Sequence, residues 1–200
     1  MTDGNEGVDL LAWLGRRGTE HSQVRTLAEA WLTWRQRTRA RQGVSGVLPL
    51  LRDLDPLDMV PALPWVWLWA RDRSGQLRLR LVGEEAKRAI GNWERGSLVE
   101  EVVPREISAK VAERYSRVLD GPAILGVDGD IVFRSGASVP GFRLILPLSS
   151  GQDDEDSPLP KADALIGITS YAGDLKTLKE TGGLLGDAQE ERFLPVAKLG

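Results

Sequence analysis

The sequence predicts an α+β fold: a five-stranded antiparallel sheet with short helices on one face and an N-terminal amphipathic helix on the other. Three observations carry that reading. Leu77 to Val82 alternates apolar and basic residues, then gives way at Gly83 to short helical stretches punctuated by Gly91 and Gly96. Trp65 to Ala70 precedes it across a turn centred on Ser74 and Gly75, so the two runs form a hairpin. From Glu20 to about Gln42 the chain lacks Gly and Pro, and Val24, Leu27, Trp31, Trp34 and Thr38 recur at steps of three and four. That spacing is one stripe of an amphipathic helix.

Composition narrows the function classes. Two hundred residues at 42% hydrophobic content support one domain with terminal extensions. A net charge of -3 and a pI near 5.4 give no global attraction to nucleic acid or to an acidic membrane. The absence of cysteine removes disulfides, thiolate metal sites, Cys nucleophiles and Cys-linked flavin chemistry together. The opening MTDGNEGVDLLAWLGRR has no basic segment followed by a long apolar run, and the apolar stretch Val60 to Ala70 is broken by Pro61 and Pro64. A soluble, cytoplasmic protein without membrane insertion is expected.

Four segments follow in order. Residues 1–19 read as a mobile N-terminal arm with an apolar island at Leu10, Leu11, Trp13 and Leu14. Residues 20–62 are the helix and a linker, in which Asp55 before Pro56 is placed to cap a short helical turn. Residues 63–172 form the sheet domain, and residues 173–200 a flexible C-terminal tail. Arg35, Arg37, Arg39 and Arg41 near the end of the helix resemble a basic patch. Residues two apart point about 200° apart, so the four split between faces and read as a solvated helix terminus rather than a nucleic-acid site.

The hairpin register decides which side chains face inward. An even loop sets Trp69 opposite Arg78, Trp67 opposite Arg80 and Trp65 opposite Val82, leaving Val66, Leu68, Ala70, Leu77, Leu79 and Leu81 as a purely apolar face. The aliphatic set is therefore expected inside, and the Trp and Arg set outside, where guanidinium groups stack on indoles at about 0.5–2 kcal/mol per pair. Beyond Pro104 a helix with Ile107, Val111, Tyr115, Val118 and Leu119 on one stripe runs to Asp120. Strands are expected over 123–134, 142–148 and 162–171. Asp153 to Asp156 lacks the alternating ligands and the internal Gly of a calcium loop, so it reads as a solvated loop.

This order of elements resembles a PAS domain. Over Trp34 to Leu148 it is similar to the single-domain PAS_5 family common in alphaproteobacteria, through Trp34 and Pro49, Asp55-Pro56, Arg80-Leu81-Val82-Gly83, the turn from Gly91 to Gly96, and Leu146-Pro147-Leu148. The resemblance implies a sensory or regulatory module rather than a catalyst. The expected role is a stand-alone signalling module acting through homodimerisation and docking of a signalling protein, with Val24, Leu27, Trp31, Trp34, Trp67 and Arg80 at the dimer interface. The alternative is a receptor for an apolar or aromatic metabolite.

That alternative needs a pocket between helices and sheet, and Leu79, Leu81, Ile90, Trp93, Val111, Tyr115, Phe142, Leu144 and Ile166 are its candidate walls. Trp93, between Gly91 and Gly96, is placed to gate it. No catalytic or metal-binding set can be assembled. The lone histidine, His21, lies outside the expected core, which leaves haem without its axial ligand and any serine without a base. Neither a Gly-x-Gly-x-x-Gly turn nor a P-loop is present, so no enzyme activity and no cofactor are expected.

Overall fold

Strand β1 (Val66–Arg71) and strand β2 (Leu77–Val82) form the hairpin, and helices α4 (Glu84–Ile90), α5 (Val99–Val102) and α6 (Arg105–Asp120) follow. Strands β3 (Ala123–Val132), β4 (Ser138–Leu148) and β5 (Ala164–Tyr171) return across the molecule. Helices α1 (Leu10–Leu14), α2 (Arg16–Glu20) and α3 (Ser22–Gln42) precede the hairpin, separated from it by a 3-10 stretch over Pro56–Trp65. The computed structural model describes residues 7–42, 48–91, 93–103, 105–132, 138–151, 161–171 and 190–200. Gly43, the acidic run Asp153 to Asp156 and tail residues 173–189 lie outside the described residues.

With a further strand β6 (Glu190–Pro195), the sheet has six strands rather than five, in the order β2-β1-β5-β4-β3-β6, with every pair antiparallel. The additional strand pairs with Ala123 to Asp128 of β3 and covers what would otherwise be a long open edge. Its sequence, EERFLP, is too short and too charged to announce a strand. Leu194 and Val196 are buried, so this part of the expected tail belongs to the core. The expected N-terminal arm is also built in from residue 7 onward. Leu10 and Leu14 of α1 are buried, and the Val8 amide donates to the Lys198 carbonyl at 2.7 Å.

One face of the sheet is covered by α1 to α3. Phe142, Leu144 and Leu146 of β4 pair in register with Ser170, Ile168 and Ile166 of β5, and all share this face. Against it lie Val24, Leu27, Trp31 and Trp34, none of them accessible to solvent. The indole N–H of Trp31 donates to the Pro147 carbonyl at 2.9 Å, and that of Trp34 to Asp58 Oδ2 at 2.7 Å. Arg37 grips the same carboxylate through two bonds of 2.6 and 3.0 Å, and the hydrogen bonds from Arg37 and then Trp34 hold Asp58 below the usual carboxylate range. The four stripe residues expected at a dimer interface are therefore covered by their own chain. A sheet face this apolar needs a lid, and α3 supplies it.

The hairpin corrects the expected register. Arg71 pairs with Leu77, leaving an odd loop that Asp72 closes by accepting from the amides of Ser74 and Gln76 and from Arg78 Nε. A bulge follows, because Leu68 pairs with Leu81 but Trp69 with Leu79, which makes Arg80 the extra residue. Trp67 and Trp69 consequently face inward with Leu79, while Leu81 turns to the other face of an edge strand and is 40% exposed. Arg80 is exposed and Trp67 is buried, so the stacked Trp and Arg outer face does not form.

His21 is buried at the start of α3. Its Nδ1 lies 2.8 Å from Ser170 Oγ, which also accepts from Gln23 Nε2 at 2.7 Å. Burial first, then the Arg17 guanidinium, lower the imidazole pKa below 6.5, while Glu20 and Asp128 pull it the other way. The folded state thus binds fewer protons at His21 than the unfolded state does.

Three outcomes are expected from this packing. Trp31→Ala should cost about 3–5 kcal/mol in urea denaturation, whereas Leu81→Asp should cost less than about 1 kcal/mol; reversed sizes would restore the even register. Deleting residues 190–200 should lower Tm by about 10 °C through the lost burial of Leu194 and Val196, and an unchanged Tm would mean that β6 is not part of the core. Stability from neutral His21 is complete above about pH 6.5 and is lost as pH falls through the lower folded pKa. His21→Asn should flatten the decline of Tm over that window, and an unaltered slope would assign the decline to other groups.

Candidate functional site

The second face of the sheet, under α4 to α6, carries a cluster of four aromatic rings. Trp67 and Trp69 come from alternate positions of β1, Tyr115 from the buried stripe of α6, and Trp93 from the turn between α4 and α5. Trp93 meets Trp69 edge-on at 5.3 Å between ring centroids and Trp67 at 6.4 Å. Tyr115 lies 5.7 Å from Trp67 and 6.4 Å from Trp69. Edge-to-face geometry at such distances is the favoured arrangement for aromatic pairs.

Glycine makes this arrangement possible at two places. Gly167 on β5 lies beside Trp67 in register, and a Cβ there would come within 2.3 Å of the indole. Gly91 and Gly96 bracket Trp93 at φ values of 112° and 96°, which side-chain-bearing residues rarely adopt. The turn can therefore drive Trp93 down onto the sheet, where it is almost wholly buried.

The hydrogen bonding of the three indoles differs. Trp67 Nε1 donates to Thr169 Oγ1 at 3.1 Å. The Nε1 groups of Trp69 and Trp93 are buried and have no hydrogen-bond partner among the described residues. Buried indole N–H groups normally find an acceptor, so two orphans in one cluster mark a place where an acceptor is missing.

Beside the rings lies a cationic corner. Arg143 on β4 pairs in register with Thr169 and is half-buried beneath α6. Burial first, then the Arg114 guanidinium, push its pKa down to about 10, so it remains charged at neutral pH. Burial likewise raises the Tyr115 phenol, keeping it neutral. Arg114 holds Glu191 of β6 at 2.8 Å, and Arg117 lies 3.8 Å from the other oxygen of that carboxylate while stacking on Phe193 at 3.8 Å.

Of the pocket residues expected from sequence, Leu79, Trp93 and Tyr115 are buried on this face. Phe142, Leu144 and Ile166 belong to the opposite face, beneath α3, because alternation along β4 and β5 sends them there. Leu81 leaves the site through the bulge at Arg80. The Ile90 side chain lies outside the described residues. Sequence reasoning missed Trp67 and Trp69 as lining residues, and Thr169 and Arg143 as polar groups. Arg143 was visible as the one cation within the alternating run from Phe142 to Leu148, although alternation alone does not say which face is cationic.

Other chemistry is limited by access. Ser170 and His21 are within hydrogen-bond distance, but Ser170 is fully buried and held by Gln23 as well, so the pair fastens α3 to β5 rather than presenting a nucleophile. Arg35, Arg37 and Arg41 meet Gly200, Asp58 and Asp53 within the chain. Among the described residues no cluster of three His, Cys, Asp or Glu side chains could hold a metal, and no helix is long and apolar enough to cross a membrane.

No curated protein matches the sequence significantly. Among solved structures, a ligand and DNA complex of VqmA from Vibrio cholerae is similar over 57% of this chain and 49% of its own, at 12% identity and a TM-score of 0.42. The chain therefore spans about half the length of that relative. An RNA-binding light-oxygen-voltage receptor is similar over 64% of this chain and 35% of its own, at 16% identity and a TM-score of 0.37. The PAS domain of a Colwellia psychrerythraea protein is covered over 98% of its length and matches 59% of this chain, at 11% identity and a TM-score of 0.35. The sequence model described as PAS_5, PAS domain, matches residues 20–160, which is more than half of the chain. The protein belongs to the PAS_5 family of PAS domains.

Proposed function

We propose that this chain is a PAS sensory module whose input is a small aromatic molecule received between the sheet and α4 to α6. Its output is the docking of a signalling partner or of a second copy. The observation that carries the input is the pair of buried, unpartnered indole N–H groups on Trp69 and Trp93, in a cluster capped by a tryptophan on a glycine-bracketed turn. A ligand with an acceptor atom would satisfy a donor that packing alone leaves bare, and withdrawal of Trp93 would admit it.

Exposed apolar side chains favour the docking output. Leu57 and Val60 on the 3-10 stretch are 79% and 52% exposed, and Leu81 on the β2 edge is 40% exposed. Arg80 stands beside Leu81 on the same edge strand, which keeps it a candidate interface residue although the α3 stripe is covered. Large exposed apolar residues on a protein surface are suited to protein contact.

Native mass spectrometry of protein from its own host, read against the denatured mass, tests both halves together. A complex above the chain mass with additional small-molecule mass is expected. A bare mass would overturn the receptor reading, and a bare monomer that captures no partner on cross-linking in its host would overturn the docking reading as well.

A further inference from the structure

The corner of the inner face beneath α6 gathers guanidinium groups, of which Arg143 stands nearest the rings on the sheet. Arg114 on α6 acts on Arg143 and is paired with Glu191, which also lies 3.8 Å from Arg117. Arg143 makes no hydrogen bond or ion pair among the described residues. A half-buried guanidinium with no carboxylate against it among the described residues is placed to take an anion.

The groups around Arg143 define the anion. Thr169 is its register neighbour and is fully buried. The Thr169 hydroxyl already accepts from Trp67 Nε1, so its own proton is available to donate. Tyr115 faces the same corner from α6 and touches Trp67, which continues into the ring cluster. A planar guanidinium fork beside a hydroxyl donor matches a carboxylate, and the adjoining rings match an aromatic body.

We propose that the inner face binds an aromatic monocarboxylate, with the carboxylate on Arg143 and Thr169 and the ring among Trp67, Trp93 and Tyr115. This rests on the receptor reading above and adds the chemical class of the ligand. The anionic end selects against neutral analogues of the same shape, because those would leave the Arg143 charge unpaired.

The test is calorimetric titration of the whole chain with phenylacetate and with phenylacetamide, which shares its shape without the charge. The parent protein should bind phenylacetate at least about tenfold more tightly than the amide. Arg143→Gln should lose that preference by weakening phenylacetate alone, with a Tm no lower than the parent's. If Arg143→Gln does not melt cooperatively, Arg143→Lys decides, since it keeps the charge but not the fork and should still weaken phenylacetate several-fold. Equal binding of acid and amide, or an unweakened acid in the deciding variant, would overturn the anion assignment and leave the receptor reading intact. Failure of both compounds to bind the parent would overturn the assignment too, and the native mass would then judge the receptor reading separately.

Discussion

Covering both faces of one sheet with tryptophan imposes a constraint on the whole molecule, because every buried indole brings an N–H that needs an acceptor. On the α3 face the constraint is met by backbone and carboxylate. Trp31 takes the Pro147 carbonyl and Trp34 takes Asp58. Proline at 147 cannot donate to the sheet ladder, and its carbonyl is the group that receives the helix. Asp58 in turn is fixed by Arg37, so the long helix, the 3-10 stretch and β4 are joined through two indole hydrogen bonds. Both tryptophans of α3 are partnered, which suits a structural wall.

The other face treats the same residue type differently. Trp67 meets Thr169, but Trp69 and Trp93 do not meet an acceptor among the described residues. Packing alone could have spared that cost with phenylalanine at both positions. Among the described residues, the indoles of α3 are hydrogen-bonded under one face, and the two unpartnered indole donors lie with Arg143 under α4 to α6. The β1 strand belongs to both, with Val66 directed to one and Trp67 and Trp69 to the other.

Much of this was legible in the chain, and the parts that were not have identifiable causes. The α3 stripe, the hairpin, the punctuated helices after Gly83, α6 and three later strands all follow from apolar period and glycine position. The register was not legible, because it depended on a side chain. Asp72 gathers two amides and Arg78 Nε into an odd loop, where a two-residue turn centred on Ser74-Gly75 would have made an even one. The bulge at Arg80 then moves Leu81 away from the face that carries Leu79. A single-residue change of register exchanges the faces of a strand, so this local error moved the tryptophans from the expected outer surface to the candidate site. Strand β6 escaped notice for a different reason: its identity comes from the open edge of β3, not from its own six residues.

Arg143 shows how far alternation can be taken. In the run Phe142, Arg143, Leu144, Ile145, Leu146, the period of two places Arg143 and Ile145 together and predicts nothing more. The pairing with Thr169 puts the guanidinium on the face with the rings, and the position of α6 half-buries it there. A cation on the solvent face of an edge strand would be routine. The same cation beneath a helix, beside a neutral phenol and a second guanidinium, is less usual. It lies on the face whose indole donors at Trp69 and Trp93 lack an acceptor among the described residues, so the proposed aromatic carboxylate would meet both features with one molecule.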